Sequence, residues 1–194
     1  MRTIGSNGAA TERAIREAGL KLIVEHGYEG MSLRQLAREV GIQPGSLYNH
    51  IATKQQLLFG LVTEHMNGLL AACDAAIAGL DEPAQALAAF CAFHLRYHMS
   101  RKAEVFVINF ELRSLEPENR AHVVRLRSAY EQRLVGILAA GQAAGVFRKT
   151  DPVVTAYAII GMLTHVCTWY AEDGRLSEAE IVDLYAGLVF SGVG

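Results

Sequence analysis

The stretch "GIQPGSLYNH", residues 41–50, holds the densest group of residues able to do chemistry. Two amides (Gln43, Asn49), a hydroxyl (Ser46), a phenol (Tyr48) and an imidazole (His50) surround Pro44 and Gly45. Such groups suit hydrogen bonds to phosphate oxygens and base edges, and small residues let a backbone approach a duplex closely. Catalysis has no comparable cluster. GxSxG, HExxH, P-loop and dinucleotide-binding glycine patterns are all missing, and scattered His, Glu and Tyr do not compose a mechanism, so no enzyme is expected. His94 and His98 stand at i, i+4, a spacing that lets two imidazoles share one metal, with Glu64 and His65 as candidates to complete a site. Four ligands are the norm and no acidic neighbour sits at a fixed spacing, so neither metal nor cofactor is expected. Cys73, Cys91 and Cys167 are odd in number, form no CxxC and lie among apolar residues. They read as buried free thiols in a reducing, cytoplasmic compartment.

The elements that must hold residues 41–50 are legible around them. A first helix runs from about Thr11, a plausible N-cap, to His26, with Ala14, Ile15, Ala18, Leu22 and Ile23 on one face and Gly27 as its stop. Ser32 caps a second, with Leu33, Leu36, Ala37 and Val40 at i, i+3, i+4, i+7 and Gly41 as terminator. The third opens at Pro44, whose missing N–H costs nothing at a first helical position, and runs to about Ile51. Thr53 caps a fourth. Helix, tight turn, short helix is a helix-turn-helix, whose second helix enters the major groove. At 100° per residue, Leu47 and Ile51 point inward, Gly45, Ser46 and Asn49 outward, and Tyr48 and His50 flank the apolar stripe. The competing reading is a plain helical hairpin in which Tyr48 and His50 are semi-buried packing residues.

Beyond Leu58 the chain reads as further helices: from Pro83, from Lys102 until before Pro117, a long one from Glu118 to Gly145, Pro152 to Glu172, and Ser177 to about Ser191, where Ser177 and Glu180 form a capping box. No alternating strand pattern occurs. The expectation is an all-α chain of nine helices: a disordered tail over 1–10 that is no signal peptide, a three-helix head over 11–57, and a body over 58–194. The net charge of −2 hides an asymmetry, with the chain to Leu58 at +2 and the remainder at −4. Pro152–Tyr170 approaches the length of a membrane span, but three threonines, a central histidine and the lack of flanking Lys/Arg favour the centre of a bundle or a dimer interface, so no membrane partner is expected.

The segment "AGLKLIVEHGYEGMSLRQLAREVGIQPGSLYNHIATKQQLL" resembles the DNA-binding head of the TetR/AcrR family of bacterial transcription regulators. The matching elements are Gly27 and Tyr28; Ser32; Leu36, Ala37, Val40 and Gly41; Ser46, Leu47, Tyr48 and His50; and Lys54 with Leu57. Ile51 departs from the usual Phe but stays apolar. The resemblance implies phosphate contacts at Ser32 or Leu33, Arg34, Tyr48 and Lys54, and groove-facing positions at Gln43, Pro44, Gly45, Ser46, Asn49 and His50. It implies a homodimer on a palindromic double-stranded DNA operator, repressing by excluding RNA polymerase, with the last two helices pairing into a four-helix interface. Ile181, Leu184, Tyr185 and Leu188 would form the stripe of the last helix.

The body resembles that family's ligand-binding and dimerisation domain more loosely. "FELRSLEPENR", "YEQRL", "GVFRKTDP" and "WYAEDGRLSEAEI" resemble a subgroup whose members often sense acyl-CoA thioesters or related fatty-acid and sterol catabolites. Polar groups inside apolar helices mark candidate contacts to a small hydrophobic effector: His94, Asn109, Arg113, Tyr130, His165 and Trp169, with Phe106 and Phe110 as walls. Against this, His165 and Trp169 can line a dimer interface, and Arg113 can pair with Glu111 on the surface. A DNA-binding protein of the same fold without an effector is the alternative.

Overall fold

The computed structural model describes residues 6–194. Among these, nine α-helices and two short 3-10 segments account for the regular structure, with no strand. The chain through His65, with Ala103–Val123, forms one compact unit, and Met66–Lys102 with Val124–Gly194 forms the other. The sequence-based division at 57/58 therefore differs from the packing in two ways. The units part inside the fourth helix, and residues 103–123, read as body, cluster with the head.

In the first unit, α1 (Ser6–Gly30) begins before the expected Thr11, which lies inside it. Of the tail expected over 1–10, residues 1–5 lie outside the described residues and the rest is helical. Gly27 interrupts α1 at φ 72, ψ 162, a conformation open to glycine alone, which confirms it as the end of the first helical run. The second helix, α2 (Leu33–Val40), carries a complete capping box: Ser32 Oγ accepts from Gln35 N–H and the Gln35 side chain accepts from Ser32 N–H. Gly41 ends it in the left-handed region (φ 74, ψ 27), with its N–H returned to α2 carbonyls. Next come α3 (Pro44–Leu47) and α4 (Lys54–Ile77), the latter capped by Thr53 Oγ1 accepting from Gln56 N–H at 3.0 Å. Ile15, Ile23, Leu36, Ala37, Leu47 and Leu58 are buried in the core of this unit. Gly19 belongs to it by size, since a Cβ there would meet Leu57 at 2.9 Å. The unit is completed by α6 (Lys102–Phe110), which is followed by a 3-10 turn at Leu112–Ser114.

In the second unit, α5 (Pro83–Met99), most of α7 (Pro117–Ala143), α8 (Pro152–His165) and α9 (Glu178–Val193) pack around Leu87, Phe90, Cys91, Leu95, Leu134, Leu138 and Leu163. Asp151 caps α8 by accepting from Val153 and Val154 N–H, and Ser177 and Glu180 form the expected capping box of α9. The helix from Pro152 does not reach Glu172. It ends at His165 and gives way to a 3-10 turn, Val166–Thr168, where Thr168 Oγ1 donates to the His165 carbonyl and competes with helical pairing. Among the described residues no helix is long and apolar enough to cross a membrane.

Candidate nucleic-acid interface and buried polar cluster

Residues 41–51 form a seated but minimal element. Only Pro44–Leu47 is α-helical, one turn rather than the expected two. The backbone then continues in tighter turns, with Asn49 N–H bonded to the Ser46 carbonyl at 3.3 Å and His50 N–H to that of Leu47 at 2.9 Å, before Ile51 N–H closes a wider turn to the same Leu47 carbonyl. Two side chains hold it down. Leu47 has no exposed surface and Ile51 is buried, the inward pair their spacing predicts. Apart from the half-buried Ile42, the rest faces out. Gln43, Pro44, Gly45, Ser46, Asn49 and His50 are exposed, and Tyr48 is 55% exposed, so the semi-buried packing reading of Tyr48 and His50 does not apply. An addition at Gly45 would meet nothing within 4 Å. A small, open N-terminal end followed by amide, phenol and imidazole is an arrangement that can lie against a groove.

The candidate phosphate contacts flank this element. Arg34 is exposed on the first turn of α2. Ser32 is half-buried, and its hydroxyl is engaged in the capping box, accepting from Gln35 N–H at 3.2 Å and donating to Gln35 Oε1 at 2.9 Å. Lys54 lies half-buried at the start of α4, its Nζ 4.5 Å from the centroid of the Tyr28 ring and 3.3 Å from the Glu29 carbonyl. An exposed Lys21–Glu39 ion pair at 2.6 Å ties α1 to α2; each partner favours the other's charged form, raising the lysine pKa and lowering that of the glutamate.

The candidate effector residues do not form one group. His94 and Tyr130 come together in the core of the second unit, the Tyr130 hydroxyl 2.8 Å from His94 Nδ1. Thr164, which the sequence did not single out, completes the set with its hydroxyl 3.0 Å from Nε2. A neutral imidazole has one donor and one acceptor, and each hydroxyl can take either part, so the trio is satisfied without charge. His98 stacks on His94 with ring centroids 3.8 Å apart and donates from Nδ1 to the His94 carbonyl at 2.9 Å. Burial foremost, then the neighbouring His98, pushes the His94 pKa well below its ordinary value. Burial likewise raises the Tyr130 phenol, and it lifts the Cys73 and Cys91 thiols to about 11 and about 12, consistent with inert packing cysteines. A metal shared by His94 and His98 would have to displace the Tyr130 or the Thr164 bond from His94, and Glu64 already pairs with Arg16.

The other candidates are exposed. Asn109 and Arg113 face solvent, and the Phe106 and Phe110 rings pack tilted against each other, centroids 4.7 Å apart, on an open face of α6. The surface pair of Arg113 with Glu111 does not form. Glu111 is buried, and its carboxylate accepts from Tyr28 N–H at 3.0 Å and from the Ser114 hydroxyl at 2.8 Å. His165 is exposed at the end of α8, and Trp169, past the 3-10 turn, stacks loosely on Tyr185 of α9. An open groove of about 500 Å³ on the second unit went unread in the sequence: Ala76, Ala89 and Ala92 line it with Phe93 and Tyr97, and Arg96 and Arg101 add charge. Only its small-residue spacing along α5 could have signalled it.

The outer face of α8 and α9 carries exposed apolar residues: Val154 and Tyr157 on α8, Leu184 and Leu188 on α9. The expected single stripe of α9 is two faces. Ile181 is buried with Val182, Val189 and Val193, while Leu184 and Leu188 point the other way. A shallow surface depression beside Leu184 is lined also by Leu176, Glu180, Asp183 and Gly187.

Comparison with known proteins agrees with this geometry. Residues 15–61 match the family "Bacterial regulatory proteins, tetR family", and residues 80–193 match "Tetracyclin repressor-like, C-terminal domain". The HTH-type transcriptional repressor KstR2 of Mycolicibacterium smegmatis is 24% identical over 190 residues, spanning 97% of this chain and 93% of that protein. The crystal structure of PfmR from Thermus thermophilus superposes with a TM-score of 0.83 at 32% identity, covering 91% of this chain and 97% of PfmR. AibR in complex with isovaleryl coenzyme A and operator DNA gives a TM-score of 0.86 at 29% identity, covering 93% of this chain and 98% of AibR.

Proposed function

Because this chain belongs to the TetR family of ligand-responsive transcriptional repressors, we propose that it binds a palindromic operator as a two-fold homodimer and is released by a small hydrophobic effector of the coenzyme A thioester class. The observation that carries the DNA half is the seating of residues 43–50 by Leu47 and Ile51, with every polar group of the segment turned outward. Ser32, Arg34, Tyr48 and Lys54 then meet phosphates, while Gln43, Pro44, Gly45, Ser46, Asn49 and His50 face the groove. The exposed apolar residues of α8 and α9 supply the dimer contact, the isologous patch that two-fold symmetry requires.

The effector class is supported by the likeness over nearly the whole chain to AibR bound to isovaleryl coenzyme A. Tyr130, backed by His94, offers the polar contact: its hydroxyl can donate toward a thioester carbonyl while accepting from His94 Nδ1–H, with the Thr164 hydroxyl then donating to His94 Nε2. His165 and Trp169, of the same unit, are the remaining proposed contacts, whereas Phe106, Asn109, Phe110 and Arg113 belong to the other unit and lie exposed, so they are not carried into this proposal. The test is a titration of short-, branched- and long-chain acyl-CoA thioesters into the protein bound to duplex DNA it has selected from a random pool. Release by one thioester, but not by free coenzyme A or the free acid, supports the class. Retention of DNA against all of them, together with no small molecule in native mass spectra of the purified protein, would instead favour a DNA-binding protein without an effector. Coupling on the order of 1–3 kcal/mol suffices for release and must be reciprocal, so DNA weakens thioester binding by the same factor.

A further inference from the structure

We infer that Glu111, which lies far outside the segment legible as the DNA-binding head, is a positioning residue for operator binding that acts through Tyr28 on Lys54. This rests on the reading of Lys54 as a phosphate contact.

Gly27 begins the chain of contacts. Its ψ of 162° turns the next peptide out of helical register, so the Tyr28 N–H is aimed away from the α1 ladder. Glu111 meets it: Oε1 accepts that N–H at 3.0 Å, and Oε2 is fixed by the Ser114 hydroxyl at 2.8 Å. The carboxylate is buried, so both bonds form with little competition from water. Gln55 reinforces the same join. Its Nε2 donates to the Tyr28 hydroxyl at 2.9 Å and to the Ser114 carbonyl at 2.6 Å, and its Oε1 accepts from Glu116 N–H at 3.0 Å. Tyr28 is thus gripped at its backbone by Glu111 and at its hydroxyl by Gln55.

What Tyr28 holds in turn is Lys54. The ammonium lies 4.5 Å from the ring centroid and donates to the carbonyl of Glu29, the next residue along. A lysine is a point charge on a flexible stem, so it delivers a phosphate contact in register only where something limits its rotamers. Both contacts that do so belong to residues 28 and 29, the segment Glu111 pins. Residues 111–116 therefore complete the DNA-binding unit, in agreement with the clustering of Ala103–Val123 with the chain through His65.

The experiment uses the full-length protein and duplex DNA selected by the wild type from a random pool, with affinity measured across a salt series. Removing one phosphate contact per head lowers the slope of log K against log salt by about two for a dimer. Lys54→Ala is expected to show that change. Glu111→Ala is expected to show the same change, with a loss of affinity no greater than that of Lys54→Ala, because it acts through the same phosphate contact. Glu111→Gln, which keeps an acceptor for the Tyr28 N–H, is expected to restore both. Adding Glu111→Ala to Lys54→Ala is expected to leave the slope where Lys54→Ala alone puts it. Where Glu111→Ala does not fold, Glu111→Asp replaces it, because drawing the carboxylate back by one methylene withdraws the acceptor while keeping the charge. A folded Glu111→Ala or Glu111→Asp with the wild-type slope, or slope losses that add in the double variant, overturns the inference. A Lys54→Ala protein with an unchanged slope overturns it too, and is told apart because it removes the phosphate contact itself.

Discussion

Leu47 and Tyr48 are neighbours in sequence with opposite surroundings, and that contrast makes the sharpest test of the interface. Leu47 is fully buried and is one of only two side chains seating residues 43–50; Tyr48 is more than half exposed. Leu47→Ala removes buried methyl groups from a small core and leaves a cavity, at a cost of roughly 2–5 kcal/mol. At roughly 0.05–0.15 kcal/mol per residue, a compact unit of about 86 residues holds on the order of 4–13 kcal/mol. The substitution thus takes a large share of the stability of the first unit, and it acts where the backbone has a single α-helical turn to fall back on. Tyr48→Ala removes an exposed ring and is expected to change stability by about 0.5 kcal/mol or less. Both should weaken binding to selected duplex DNA, for different reasons. Chemical denaturation and amide exchange separate them: Leu47→Ala shifts the midpoint and accelerates exchange through residues 42–51, while Tyr48→Ala leaves both as in the wild type and lowers only affinity. If Tyr48→Ala cost as much stability as Leu47→Ala, or if Leu47→Ala bound DNA and melted like the wild type, the outward-facing reading of this segment would be wrong.

Three further outcomes are expected. The buried, neutral His94 has its pKa pushed well below 6.5 by desolvation, so as pH falls through about 6.5 the unfolded chain takes up a proton that the folded one refuses; stability is full above that pH and declines below it. Melting temperatures from pH 8 to 5 should show the decline in the wild type and a shallower one in His94→Gln, and equal slopes would count against the buried trio. Leu184→Asp places a charge on the exposed apolar face of α9 without touching the buried one, so sedimentation should show a monomer with wild-type helix content, where an unchanged dimer would locate the contact elsewhere. Gly27→Ala should lower stability by about 1–3 kcal/mol through backbone strain alone, since the nearest atom to the new Cβ, Glu111 Oε1, is at an ordinary 3.6 Å, and an unaltered melting curve would contradict the strained φ.

What the sequence disclosed was decided locally. Ser32 with Gln35, Thr53 before α4, Pro83 and Pro152 at first helical positions, and Ser177 with Glu180 mark helix starts through contacts a few residues long, and each start falls where its residues put it. The errors lie where distant partners decide. α6 stops at Phe110 because the Glu111 carboxylate is drawn to the backbone of Tyr28, far away along the chain, and no local periodicity encodes that. Thr164 carries no signal in the sequence beside His94 and Tyr130 because the trio comes from three different helices, and a lone threonine in an apolar run looks like packing. Gly141, inside α7, is where the Phe147 ring folds back, leaving no room for a Cβ, and no local pattern signals that.

The two faces of α9 show why a helical pattern read alone blurs core and interface. Ile181, Leu184, Tyr185 and Leu188 recur at helical spacing, and an apolar stripe signals only that something covers it. Within the unit, Ile181 is covered along with Val182, Val189 and Val193, whereas Leu184 and Leu188 stay more than half exposed. α8 repeats the division, with Ala156, Ile159 and Leu163 inside and Val154 and Tyr157 outside. A helix apolar on both sides, α8, explains most of the near-uniform hydrophobicity of Pro152–Tyr170 without a membrane. One face supplies the core of the second unit, and the other is an exposed apolar surface of the kind that marks an interaction site. In the homodimer proposed above, a second copy of the chain presenting the same residues across a two-fold axis would make both faces useful at once.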